Sequence, residues 1–180
     1  MRLFLEKGYD ETTVEEIAAA ADISPSTFFN YFPNKEAVVF TDDLDPLILA
    51  AFDAQPSGLS PIAALRNAMV DVFSKLSPDD EAVMRERMRL MAGEPELQAG
   101  MLAQFADLVR QIAELMAHRV GRSPDDFALR NLAGALLGVM LSAMLRATED
   151  PNADLLQLAV DALAHLEAGL PLEWTGEAKR

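Results

Sequence analysis

The chain has no cysteine. That absence excludes a disulfide framework, a thiolate metal site and a cysteine nucleophile. There is no glycine-rich phosphate loop, no tandem repeat and no low-complexity tract, and alternation of apolar and polar residues at period two is nowhere sustained. Cations are scarce. The 15 Lys and Arg stand against 29 Asp and Glu, giving a net charge of -14 and a pI of about 4.4, opposite to the overall footprint of most nucleic-acid binders. The N-terminus lacks the basic, apolar and small-residue order of a signal peptide, so a cytoplasmic protein is expected. The longest nearly charge-free apolar run, 132–145, is too short to span a bilayer. Arg130, Asn131 and Arg146 bracket it, and it reads as a helix buried on several sides at once, with no membrane association expected.

What is present is a chain of 180 residues with 51% hydrophobic composition, enough to bury a substantial core. Its most informative stretch is 12–35, TTVEEIAAAADISPSTFFNYFPNK. Thr12 or Thr13 can cap a helix, with Glu15 and Glu16 in the first turn where negative charge suits the helix dipole. Val14, Ile17, Ala18 and Ala21 recur at helical spacing. Ser24 is a second cap and Pro25 sits at the first helical position, where its missing N–H costs nothing. Two helices joined this tightly cross steeply, as in a helix-turn-helix whose second helix enters the major groove.

These residues resemble the tetracycline-repressor (TetR) family of bacterial transcriptional regulators. The resemblance rests on Gly8-Tyr9, Thr12-Thr13, Ile17-Ala18, Ile23-Ser24, Thr27-Phe28, Tyr31-Phe32 and Asn34-Lys35-Glu36, and covers about 2–45, roughly a quarter of the chain. It implies an all-α protein of about nine helices, with a helix-turn-helix DNA-binding head over 1–45 and an effector-binding and dimerisation body over 46–180. It also implies that Thr13 and Lys35 meet phosphates, while Ser24, Pro25, Ser26, Thr27, Asn30 and Tyr31 face the groove of double-stranded DNA. The chemistry agrees: an ammonium neutralises phosphate, and the Asn30 amide can pair with an adenine edge. Phe28 and Phe32 read as core. Phe29 departs from the family's usual tyrosine, and the first 45 residues offer only Arg2, Lys7 and Lys35 as cations, so a shallow salt dependence follows. The first helix has about two turns, shorter than in relatives.

Breakers divide the remainder into helices over about 35–54 (interrupted near Pro46), 61–76, 78–91, 95–120, 124–148 and 152–168. The tail to residue 180 reads as loose. The 124–148 helix is apolar on nearly every face, more than one packing surface can use. Gly134 and Gly138 permit close helix approach, and Leu155, Leu158 and Ala162 give the last helix an apolar stripe. The family resemblance implies that Leu132, Gly134, Leu137, Gly138, Leu141, Leu155, Leu158 and Ala162 pair with their symmetry mates in a homodimer; the alternative is that they form the subunit's own centre. Two-fold symmetry would call for a palindromic operator.

Phe73, Met84, Met88, Met101, Phe105, Leu108, Ile112 and Met116 lie on helices that enclose the ligand cavity in the family, and methionine suits a pocket that adapts to an apolar guest. Arg85 and Arg89, one helical turn apart, suit a phosphate or carboxylate. The run 85–97, RERMRLMAGEPEL, resembles regulators that respond to acyl-CoA, and implies a fatty acyl-CoA or similar amphipathic effector. Ordinary core and a solvated charged face are the competing readings of these two sets. No catalytic residue, cofactor or metal site is expected: His118 and His165 stand on separate helices without a motif, and the acidic clusters at 79–81 and 125–126 occupy helix starts. The function expected is therefore a ligand-responsive repressor rather than an enzyme, the rival being a ligand-binding dimer that no longer binds DNA.

Overall fold

The computed structural model describes residues 1–41, 44–150 and 153–172. Among these the chain forms ten helices and no strand: α1 (Arg2–Lys7), α2 (Val14–Ala20), α3 (Pro25–Tyr31), α4 (Lys35–Phe40), α5 (Leu44–Asp53), α6 (Pro61–Phe73), α7 (Pro78–Gly93), α8 (Pro95–Val120), α9 (Phe127–Glu149) and α10 (Leu155–Glu167).

The helix starts are written into the sequence. Thr13, Ser24, Asn34, Ser60, Ser77, Asp126 and Asp154 each accept a hydrogen bond from a backbone N–H of the first turn, and Pro25, Pro61, Pro78 and Pro95 open their helices. A cap of this kind is worth about 1 kcal/mol. Gly121 ends α8 in the left-handed region at φ 64°, a conformation that glycine adopts without strain.

Two differences from the sequence reading have clear causes. The expected 35–54 helix is two helices, because the chain turns extended at Thr41 (φ -76°, ψ 123°); Pro46 then falls in the first turn of α5, where it needs no N–H partner. The 124–148 helix begins later, at Phe127, because the Asp126 carboxylate caps it by accepting from the N–H groups of Ala128 (2.9 Å) and Leu129 (3.2 Å). The last helix likewise starts behind its cap Asp154, and the expected start at Asn152 and the tail over 173–180 lie outside the described residues.

The larger core joins α5, α6, α8, α9 and α10 around Phe52, Ala64, Met69, Met116, Leu129, Leu136 and Leu163. Arg119 near the end of α8 ties this core to the α5–α6 turn: it donates to the carbonyls of Phe52 (3.4 Å), Gln55 (3.3 Å), Pro56 and Leu59 (3.4 Å). A smaller core joins Phe4, Tyr9 and Val39 to Leu97 on α8, with Ile17, Phe40, Leu90 and Met91 packed around it. The N-terminal helices are thus seated on α7 and α8 through shared apolar surface. The α9 helix, at 23 residues, is long and apolar enough by length and composition to cross a membrane. Here it packs against α8 and α10 and buries Leu129, Ala133, Leu136, Ala143 and Met144 in the protein.

Candidate nucleic-acid interface and effector chamber

Helices α2 and α3 pack against one another across a turn in which Asp22 takes φ 55° and the Ile23 N–H reaches back to the Ala18 carbonyl at 3.0 Å. Thr13 opens α2 with a reciprocal cap: its hydroxyl accepts from the Glu16 N–H at 3.3 Å, and the Glu16 carboxylate accepts the Thr13 N–H at 3.2 Å. Lys7 also donates to Glu16, and this hydrogen bond is the main reason the carboxyl is held below its ordinary range.

On α3 the division between inside and outside is sharp. Phe28 is buried, with Phe29 edge-on to it and Phe32 5.5 Å away. At 100° per residue Ser26 and Asn30 stand opposite the buried ring, Phe29 lies to one side of them, and Pro25 and Tyr31 sit about 60° to either side of that ring. All five are exposed, Phe29 to 54% and Tyr31 to 76%. Ser24 and Thr27 are occupied with the helix start: Ser24 Oγ accepts the Thr27 N–H at 3.0 Å and lies 2.8 Å from Thr27 Oγ1.

Lys35 is turned inward. Its ammonium donates to the Tyr9 carbonyl at 3.0 Å and stands 4.1 Å over the Tyr9 ring. The tyrosine itself is buried beside Glu36; burial first, and the Glu36 carboxylate second, push its hydroxyl above the ordinary tyrosine range. The sequence gives no signal for this inward turn, because a lysine at a helix start reads equally well as solvated.

Between α4, α5, α6, α7, α8, α9 and α10 lies an apolar cavity of about 340 Å³, lined among others by Phe73, Met84, Met88, Met101 and Leu155. A second lobe of about 360 Å³ opens between α8 and α9 at Phe105, Leu108 and Leu145. The two share Met91, Met101, Leu137, Leu141 and Met144, so they meet at one methionine-rich junction. Each volume falls in the range of small-molecule sites. Ile112 and Met116, further along α8, lie in the main core instead.

The arginines divide differently from the sequence expectation. Arg85 borders a polar cleft with Ser74, Glu81 and Asp154, continuous with the chamber through Phe73, Met84 and Leu155. Arg89 pairs with Glu86 and lines neither lobe. Arg87 instead reaches the chamber wall, which Asp45 also lines. A signal for it existed: Met84, Arg87, Met88 and Met91 follow i, i+3, i+4, i+7, so Arg87 belongs to the methionine face.

On α9 a Cβ on Gly134 or Gly138 would meet nothing within 4 Å, while Leu141, on the same side, is part exposed and borders both lobes. Leu132 packs against the main core. Leu137 and Leu155 line the chamber, and Leu158 and Ala162 are half-buried.

Comparison with known proteins agrees with this arrangement. Residues 1–40 match the profile described as bacterial regulatory proteins, tetR family, and residues 59–171 match the MftR C-terminal domain. The chain belongs to the TetR family of transcriptional regulators. It is 32% identical over 185 residues to the HTH-type transcriptional regulator TcmR of Streptomyces glaucescens, covering 97% of this chain and 82% of that protein. It is 31% identical over 172 residues to the putative mycofactocin biosynthesis transcriptional regulator MftR of Mycobacterium tuberculosis, covering 94% and 86%. Among solved structures it is similar to Thermus thermophilus FadR, a TetR-family repressor in complex with lauroyl-CoA, with a TM-score of 0.59 at 26% identity, covering 100% of this chain and 95% of that one.

Proposed function

We propose that this protein is a ligand-responsive repressor that binds a palindromic operator as a homodimer, with residues 1–45 as the DNA-binding head and 46–180 as the effector-binding and dimerisation body. It works in the cytoplasm by binding rather than by catalysis. The observation that carries this reading is the two-sided character of α3: Phe28 anchors it, while Ser26 and Asn30 are open to solvent on the opposite side. A helix presented in this way can lie in a major groove with Asn30 on an adenine edge. The effector is an amphipathic molecule with an apolar tail, of the fatty acyl-CoA kind. Support comes from the methionine-rich junction of the two lobes and from lauroyl-CoA on the Thermus relative. Arg85 lines the polar cleft and Arg87 the chamber wall, the two cations that border the space its polar end would occupy.

The effector acts by binding one arrangement of the body more tightly than another, since equal affinity for both would shift nothing. A second reading, a ligand-binding dimer without DNA affinity, gains from one observation: Arg2 pairs with Glu6, Lys7 with Glu16, and Lys35 faces Tyr9, so each cation of the head has a partner within it. A mobility-shift assay on DNA flanking the native gene separates the two. The repressor reading expects a retarded band that Asn30→Ala weakens at least tenfold and that effector releases. No retardation by the natural chain at low salt would leave the second reading standing.

A further inference from the structure

Resting on the reading of α3 as the groove-entering helix, we propose that its specificity comes from thymine methyl groups and adenine edges, so that the core of each operator half-site is A·T-rich. The argument starts from what the exposed arc offers. From Ile23 to Asn34 the chain carries no lysine or arginine, so the commonest route to guanine, a cation on O6 and N7, is absent from this helix. Ser24 and Thr27 are bonded to each other and to the helix start. Asn30 is then the one side chain of the exposed arc that can make a two-point contact with a base, and its amide matches N6 and N7 of adenine.

Beside Asn30 and the short hydroxyl of Ser26, the exposed surface is apolar at Pro25 and Phe29. Pro25 and Phe29 lie one turn apart on the same side, adjacent to Ser26 and Asn30, and Phe29 is 54% exposed although its neighbour Phe28 is buried. In the major groove an apolar side chain has one apolar feature to meet, the C5 methyl of thymine. Phe29 has no hydroxyl with which to reach a phosphate. The phenyl ring and the proline ring therefore discriminate by excluding water from thymine methyls, while the Asn30 amide selects the adjacent adenine.

Selection of bound duplexes from a random pool by the full-length protein, followed by replacement of each thymine in the half-site by deoxyuridine, tests this directly. Deoxyuridine removes only the methyl and leaves pairing unchanged. One or two positions per half-site are expected to lose about three- to fivefold in affinity each, the scale of one buried methyl. Phe29→Ala is expected to lose sensitivity at one of those positions, and to keep it at the others. The uracil arm needs no variant, so a folding defect in Phe29→Ala leaves the test intact. Equal affinity for every uracil-substituted duplex, or selected half-sites whose core is G·C, overturns the inference while leaving the repressor reading in place. Retention of no duplex at all overturns both.

Discussion

The ring of Phe40 lies on Gly100: a Cβ at that glycine would stand 3.1 Å from Cε2 and 3.2 Å from Cζ. Phe40 is the last residue of α4 and also lines the chamber, and Met101, next to Gly100, lines both lobes. This pair is therefore a place where chamber contents and the attitude of α4 meet. Gly100→Ala adds helix propensity of roughly 0.5–1 kcal/mol and opposes it with crowding of about 1–3 kcal/mol. Because the crowded atom belongs to a side chain that can swing, the expected net stability change is small, within about 2 kcal/mol of the natural chain. The effector concentration that releases half of the operator should nevertheless move by threefold or more. A titration showing no such movement, with the ring displaced, would remove Phe40 from the route of communication.

Tyr9 makes a second, independent prediction. Its hydroxyl is buried without a hydrogen-bond partner of ordinary length, the Glu36 carboxylate acting on it as a charge and as a long, weak acceptor, so Tyr9→Phe removes a polar group that is largely unsatisfied. The expected change in unfolding free energy is between zero and about 1 kcal/mol of stabilisation. The pH dependence has a definite sign. Because the folded pKa is raised, the native state keeps a proton that the unfolded chain releases above about pH 10, and stability present below that pH is lost as pH rises. Tyr9→Phe should flatten this alkaline decline relative to the natural chain in paired denaturant titrations; identical slopes would contradict the burial argument.

Most of the fold was legible because its punctuation is local. Ser24-Pro25, Ser60-Pro61 and Ser77-Pro78 each set a helix start through a cap and a pre-formed φ, and these starts stand where the sequence puts them. The split at Thr41 was harder to see, since its cause is a backbone turn at a residue with no breaker chemistry. In the site, the outward face of α3 follows from helical period alone. The inward turn of Lys35 does not, because it depends on the carbonyl of Tyr9, 26 residues away. Leu137 and Leu155 behave similarly: an apolar stripe on a helix fits a chamber wall as well as a subunit interface, and their place on the chamber wall depends on helices distant in the sequence.

Salt dependence checks the position of Lys35. If all three head cations of both subunits lay on phosphates, the slope of log affinity against log salt would approach about -5. With Lys35 on Tyr9 and Lys7 on Glu16, a slope no steeper than about -3 is expected. Lys35→Gln should leave that slope unchanged and cost about 1 kcal/mol of stability through the lost carbonyl bond and ring contact. A drop of roughly 0.9 per subunit on the same substitution would instead put the ammonium on the backbone of the duplex.

The open side of α9 predicts a separation of folding from assembly. At Gly138 an added Cβ meets nothing within 4 Å in the subunit, and replacing a mid-helix glycine adds about 1 kcal/mol of helix propensity. Gly138→Leu should therefore fold at least as stably as the natural chain when monomeric. If two copies approach through this side, a leucine there holds the backbones apart, and sedimentation should show the dimer dissociation constant raised by tenfold or more. Unchanged self-association would locate the dimer contact elsewhere.

The last prediction concerns chamber occupancy. A ligand held only by the folded state stabilises it by about 2.7 kcal/mol at a hundred times its Kd, which for a chain of this size raises Tm by roughly 5–10 °C. Acyl-CoAs graded in chain length should give graded shifts, because each added methylene removes more apolar surface from water, worth about 0.8 kcal/mol when fully buried. The gradation should stop once the tail has filled both lobes. Met101 stands at their junction, so Met101→Trp places a larger ring where the tail must pass and should truncate the series, long chains losing their advantage while short ones keep theirs. Operator binding without effector should be preserved in that variant, since Met101 is remote in sequence from α3 and forms no part of its exposed arc. Shifts independent of chain length in the natural protein would argue for binding at the polar cleft by Arg85 alone, with the apolar lobes serving only as loosely packed core.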